Sequence, residues 1–508
     1  MTSCPEPGPT PNPAQRTRAA AHGSSRPGTN LAALLLAALL LAAATFCSPA
    51  AQAREAAGGE PGAAFDPNME AAIESGAAAV PAPSASLVPE GDPDAGPSAP
   101  SAAKDINGPA WRADLPENEH APSRFLAVDK ASQTFYVLER RSPLRKIHEL
   151  PCATGQVSGD KFREGDLRTP EGVYFIERKL SGGLNYQLYG DIAYTLNFPN
   201  PVDRIKGKTG YGIWIHGRGG QIVPMDTRGC VALNTPDLHE LGNTLGRGTP
   251  VVIAQNISWP PDGQAHSAEA SALTALVREW AKAWQNRNDT LFSFYDPEKY
   301  SRSGGESFQR FKANKERLFA RLPWIQVVIE DITAIPGPDY WVTSFEQIYR
   351  APGTTSTVRK RLYWQKDAKG VWRIVGQEYD QPSPELKARY LAHVSGQVAE
   401  AVSLWQAAWE RADLDGYAAF YLPGAEQQGR RGLAAIVEHK RGLWAGNPPR
   451  RVELSGRTVS LHPDGIQVAF TQIYEGANGF TDTGTKTLIL EPRGDRWLIS
   501  AEHWRKGN

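Results

Sequence analysis

Residues 209–241 read TGYGIWIHGRGGQIVPMDTRGCVALNTPDLHEL, with His216 after a short apolar run and Cys230 after a glycine. The two lie fourteen residues apart (216 to 230), a spacing that decides nothing until a fold brings them together. The local chemistry says more. Gly229 lets the backbone approach Cys230 closely, and successive amides around such a turn can converge on one oxyanion. A thiolate attacking an amide carbonyl needs a base, and a neutral imidazole is the usual one. That base needs an acceptor on its other ring nitrogen. No Asp or Asn adjoins His216, so a backbone carbonyl, that of Gly217, is the expected orienter. Other readings of Cys230 stand beside this one. It can be a buried core thiol heading the apolar Val231-Ala232-Leu233, or one half of a disulfide with Cys152. It can also be a zinc ligand with His216, His239 and Cys152, although no tight CxxC or HxxxH spacing supports a metal.

Outward from this stretch the chain is rich in strands. FLAVD (125–129) and QTFYVLE (133–139) are short β-type runs separated by the turn-like Lys130-Ala131-Ser132. KIHELPCATG (146–155) continues as a third, and Thr169-Pro170-Glu171-Gly172 turns into another. TPDLHELGNTLG (235–246) reads as a short helix with Thr235 as N-cap, Pro236 first inside and Gly242 near the end. TPVVIA (249–254) closes the set. Structure is expected to begin near Arg124, and many short strands with one helix predict a β-rich domain of about 130 residues.

Residues 124–256 resemble an L,D-transpeptidase catalytic domain of the YkuD type. The resemblance rests on His216-Gly217, on Thr227-Arg228-Gly229-Cys230-Val231-Ala232-Leu233, and on Asp237 and Leu241. Upstream support comes from Val128-Asp129-Lys130, Thr154-Gly155, Gly165-Asp166, Thr169-Pro170-Glu171-Gly172 and Gly212-Ile213-Trp214. It implies an exported enzyme of peptidoglycan, with a part in cell-wall organisation and cell shape. Its thiolate would attack the bond between the L-centre of diaminopimelate and D-Ala in a tetrapeptide stem. An amine then resolves the thioester to a cross-link, or water resolves it to a shortened stem. By position, Cys230 is the nucleophile and His216 the base. Backbone groups of Arg228, Gly229, Cys230 and Gly217 are candidates to hold the oxyanion or orient the base. Thr227, Trp214 and Arg218 are candidates for substrate contact. No cofactor and no metal are implied. The chain departs from the common pattern where Ala232 stands for an Arg and Arg228 for a His. Members with that Ala include hydrolases and enzymes acting on protein–peptidoglycan links, so a carboxypeptidase or amidase outcome stays open. Arg228 or Arg218 is placed to supply the missing charge.

The C-terminal half is a duplication. At a shift of 125 (280 to 405), Trp280 and Trp284 meet Trp405 and Trp409, and Lys315 meets Lys440. Phe345, Gln347 and Tyr349 meet Phe470, Gln472 and Tyr474, and Trp372 and Ile374 meet Trp497 and Ile499. A period this long means two domains, not a solenoid. Each copy opens with an amphipathic helix carrying the Trp pair, adds a second helix, and ends in alternating strands. This α+β pattern resembles the NTF2-like fold found beside some L,D-transpeptidases. The Trp pairs read as core, and Trp324 and Trp504, which lack counterparts, read as surface-site candidates. With no acid/base set in either copy, the pair is expected to position the enzyme or bind an envelope protein. A scaffold protein acting through this pair is the reading of a different class.

The fold class is therefore multi-domain: a β-rich YkuD-like catalytic domain, residues 121–258, followed by two α+β NTF2-like domains, residues 266–383 and 391–508. The catalytic domain is expected to keep some chemistry when residues 266–508 are removed. Ahead of it, Leu31–Ala44 has the length of a signal-peptide apolar core, and Ala51-Gln52-Ala53 offers a cleavage site after residue 53. An uncleaved anchor is the alternative. Residues 54–120, rich in Ala, Pro, Gly and Ser, read as a disordered tether with a transient helix near Met69–Ser75. With 55 basic and 55 acidic residues the net charge is zero, which favours no nucleic-acid partner. The expected partners are peptidoglycan stem peptides, in the periplasm or cell envelope.

Overall fold

The computed structural model describes residues 110–115, 118–141, 144–260 and 264–507. The expected signal peptide, the transient helix and the tether as far as residue 109 lie outside them. Ordered structure starts earlier than Arg124. Strand β1 (Arg112–Asp114) pairs in parallel with β10 (Asn256–Ser258) and ties the entry of the catalytic domain to its exit.

The domain is built on β2 (Arg124–Asp129), β3 (Thr134–Glu139), β4 (Arg145–Pro151), β5 (Gly172–Ser181) and β6 (Ile192–Leu196). β7 (Trp214–His216), β8 (Val231–Ala232) and β9 (Pro250–Ala254) complete it. The order across the sheet is β4-β3-β2-β9-β5-β6-β7-β8. Just past β4 the chain bridges to Ala232 through Ala153 and to Thr227 through Gly155, so the two ends of that order meet. Three short helices, Tyr186–Tyr189, Pro201–Ile205 and Thr235–Leu241, replace the single helix expected. The last is capped by Asn234, one residue before the expected Thr235. The Thr235 hydroxyl is instead spent on the backbone of Arg218, accepting from its N–H and donating to its carbonyl.

β2 and β9 are nearly continuous apolar runs because both faces of the sheet are covered. Successive side chains alternate. Leu126 and Val128 enter a core with Val137, Ile215 and Val231. Phe125 and Ala127 enter a second one with Val173, Phe175, Tyr340, Tyr363 and Val375. Those last three belong to the first repeat, so the catalytic domain and repeat one share a core. Polar contacts fix the seam. Tyr340 Oη accepts hydrogen bonds from Val173 N (2.8 Å) and Asn200 Nδ2 (3.1 Å). Asn197 Nδ2 donates to Glu378 at 2.8 Å, and the Arg361 guanidinium lies 3.9 Å over the Phe175 ring. Gly172 has a φ of +154°, and a Cβ there would stand 2.7 Å from Tyr340 Oη. Only glycine permits this approach. The expectation of an independently competent catalytic domain therefore conflicts with a shared apolar face.

Repeat one lays the helix Gln264–Gln285 on a four-stranded antiparallel sheet, residues 326–380. Repeat two lays Leu386–Glu410 on a six-stranded sheet. Trp280, Trp284, Trp405 and Trp409 are all buried as core. Trp324 is buried too, which corrects its reading as a surface residue, whereas Trp504 keeps partial exposure. Arg350, buried at the joint of the repeats, donates to the carbonyls of His462 (2.8 Å) and Gly465 (2.9 Å). Among the described residues no helix is long and apolar enough to cross a membrane.

Candidate active site

β7 and β8 run in parallel with Ile215 opposite Val231 and His216 opposite Ala232. Cys230, one residue before β8, therefore sits level with Trp214. The strand pairing sets the thiol beside the strand that ends in the imidazole. His216 is 2 % exposed, and its Nδ1–H donates to Gly217 O at 2.6 Å. That bond leaves Nε2 as the basic nitrogen. Burial pushes the His216 pKa down to about 4, with the Arg218 charge adding to the effect and the Gly217 bond opposing it. Desolvation pushes the Cys230 thiol up to about 11, against a lowering by the Trp214 backbone and by Lys161. The residue keeps partial exposure, and its sulfur lies 3.5 Å from Gly212 O. At neutral pH the resting pair is a neutral thiol and a neutral imidazole.

The loop before Cys230 is braced from inside. Thr227 Oγ1 donates to Cys230 O at 2.7 Å and accepts from Gly229 N at 3.1 Å. Gly229 has a φ of +126°, and a Cβ there would meet Arg168 O at 2.8 Å. The residues of this loop lie against the 155–169 segment, where Gly155 N donates to Thr169 Oγ1 and Lys130 Nζ donates to Gly159 O and Thr169 O.

A family model for the YkuD L,D-transpeptidase catalytic domain matches residues 123–253, and one for the Cds6 C-terminal NTF2-like domain matches residues 272–378 and 397–503. The chain carries an L,D-transpeptidase catalytic domain followed by two NTF2-like domains. Among solved structures it is similar to Bd1075 of Bdellovibrio bacteriovorus, at 27% identity over 53% of this chain and 96% of that one, TM-score 0.44. It is also similar to the helical cell shape determining protein Pgp2 of Campylobacter jejuni, at 29% identity over 50% and 91%, TM-score 0.43. An NTF2-like protein of Pseudomonas putida aligns at 17% identity over 22% and 86%, TM-score 0.20. No curated protein matches the chain.

Within the transpeptidase domain several residues stand differently from the sequence reading. Thr227 is 4 % exposed and both hydroxyl functions are taken inside the loop, so it positions Cys230 instead of meeting substrate. The Gly229 amide is spent on Thr227, which removes it as an oxyanion donor, whereas the Gly217 carbonyl accepts from His216 Nδ1, the orienting contact expected of it. Among the described residues the amides of Arg228 and Cys230 donate to no side chain or loop carbonyl. Arg218 is held by Asp226, Nη2 to Oδ2 at 2.6 Å, and clamps the 218–226 loop instead of offering a free charge. Arg228 is exposed and has no carboxylate partner among the described residues. Trp214 is buried with the Tyr189 ring at 5.2 Å.

Tyr189 was not legible in the sequence. It ends a four-residue helix without periodicity, yet its ring meets His216 edge-on at 5.1 Å and holds the imidazole plane. Cys152 and Cys230 are both free thiols, so the disulfide does not form. Cys152 is buried in the core, which pushes its pKa up to about 12 and makes it inert.

Proposed function

We propose that the protein is an exported cysteine L,D-transpeptidase of peptidoglycan tetrapeptide stems. The observation that supports this reading is the parallel pairing of β7 and β8, which sets Cys230 level with Trp214, two residues before His216 on the same strand, with Arg228 exposed and without a carboxylate partner among the described residues. His216 Nε2 takes the thiol proton as sulfur adds to the carbonyl of the diaminopimelate L-centre. The oxyanion falls to the amides of Arg228 and Cys230, a contribution worth about 10²–10³ in rate per donor. Collapse breaks the C–N bond, D-Ala leaves with the proton returned by the imidazolium, and a thioester remains. An amine of a second stem then adds, the S–C bond breaks, and the thiol is restored. The Arg228 guanidinium is the group suited to a stem carboxylate.

A second outcome is favoured by one observation. Ala232 is fully buried between His216 and Ala153, so no side-chain cation stands there to hold an acceptor stem. Water then resolves the thioester and the product is a shortened stem. Intact-mass spectrometry with a carbapenem tests the thiol chemistry common to both. An adduct on Cys230 is expected; no adduct, or one on Cys152, contradicts it.

A further inference from the structure

Repeat two contains a cavity of about 350 Å³ that the catalytic chemistry does not use. Its volume is at the low end of small-molecule sites, about 300–1,000 Å³. Trp409, Trp444, Tyr474, Phe480 and Trp504 supply aromatic wall. Polar groups converge on the same space. Lys486 is paired with Glu502, whose other oxygen accepts from Gln427 at 2.8 Å and from both Tyr417 and Tyr421. Burial alone would raise the Glu502 pKa; the Lys486 and Lys440 charges overcome this and hold it at about 2.

Lys440 is the group left over. It is 8 % exposed and lies 4.8 Å over the Trp409 ring, and no carboxylate is within ion-pair distance among the described residues. Burial and the neighbouring Lys486 push its pKa down to about 8, a penalty that a bound anion relieves. Counting Arg430 and Asp482 on the lining, three cations face two carboxylates. Burial and the Arg430 and Lys440 charges lower the His439 pKa, which disfavours a further cation here. Three further polar atoms are unmatched among the described residues. Gln472 Oε1 is buried with no donor, in a residue 4 % exposed, and the Trp409 and Trp504 indole nitrogens have no acceptor. The cavity thus wants one negative charge, at least one N–H or O–H donor, and one or two acceptors, against a flat apolar face.

Repeat one keeps the lysine, the glutamine and the tryptophan, as Lys315, Gln347 and Trp284, but fills the space around them differently. At a shift of 125, Phe308 and Phe311 stand where repeat two has Leu433 and Ile436, and their rings pack with Tyr295 and Tyr300. The helix Pro297–Arg302 follows Tyr295, whereas the chain after Tyr421 is a strand, Tyr421–Gln427, that carries Gln427 to the carboxylate. Gln377 takes the place of Glu502. One copy is filled with aromatic rings and seamed to the catalytic domain; the other is open.

We propose that repeat two binds a small monoanionic carboxylate with an adjacent N–H or O–H donor, either an N-acylated acidic sugar or an N-acyl amino acid. Lys440 takes the carboxylate, Gln472 Oε1 takes the donor, and the tryptophans take the flat face and its acceptor oxygens. Calorimetric titration of the full chain carrying Cys230→Ala, which has no thiol to turn a ligand over, tests this apart from the catalytic reading. The probes are N-acetylmuramic acid, N-acetyl-D-alanine and the neutral N-acetylglucosamine. Saturable binding of one or both carboxylates is expected, with Kd on the order of 1 mM or tighter, and the one that binds identifies the source. Lys440→Met and the shape-conserving Gln472→Leu, each with an unchanged Tm, should each weaken it about tenfold or more. Equal binding of the neutral sugar, unchanged binding in both folded variants, or no binding of either carboxylate overturns the proposal.

Discussion

At Cys230 the protein holds a thiol that stays protonated at neutral pH beside an imidazole that stays neutral, because burial disfavours both charged forms. Attack therefore needs the proton to move within the step, and Cys230→Ala should abolish stem turnover while Cys152→Ala leaves it intact at a cost of about 1 kcal/mol in stability. The His216 shift also has a sign. Its folded pKa, about 4, lies below the ordinary value of 6.5, so on acidification the unfolded chain takes up the proton first. Its stability contribution is present above pH 6.5 and is lost as pH falls through about 4. The acid limb of kcat/KM should accordingly have its midpoint near 4, not 6.5. A midpoint at 6.5 would show a solvated imidazole. Thr227→Val removes both bonds of the loop brace. It should lower kcat by about tenfold to a hundredfold with little change in KM, since it touches no substrate. Cys230 and His216 were legible as candidates because a rare residue type stood beside a glycine in a motif. The brace, the Arg218–Asp226 clamp and Tyr189 were not, since each depends on which side chains a fold brings together.

At the scale of elements, the strands were readable from continuous apolar runs, and the 125-residue repeat from its paired aromatics. β2 is buried on both faces, which is itself a signal that something covers each side. What covers the second face is repeat one, and no local pattern names it. The seam makes a prediction. Tyr340→Phe strands the Val173 amide in a buried setting and leaves Asn200 Nδ2 with only its bond to Val173 O. It should cost about 1–3 kcal/mol in urea melts and should destabilise both domains together. Two separate transitions, with only the repeat-one transition shifted, would mean the seam is not cooperative.

Over the whole molecule, the shared core means that removing residues 266–508 exposes Phe125, Val173 and Phe175. That truncation should aggregate, whereas a chain ending near residue 384 keeps the core shared with repeat one, loses contacts to repeat two that include those of Ile348 and Arg350, and should keep thiol chemistry, read as carbapenem acylation by intact mass. Repeat one then serves as part of the catalytic body, and repeat two as the part free to carry a ligand of its own. The central claim is the chemistry at Cys230, and the most direct measurement is mass analysis of peptidoglycan tetrapeptide stems after incubation with the full chain. The account predicts loss of D-Ala, with new cross-links or shortened stems, and neither product from Cys230→Ala. Intact tetrapeptides after incubation with the folded protein, or the same products from Cys230→Ala, would contradict it.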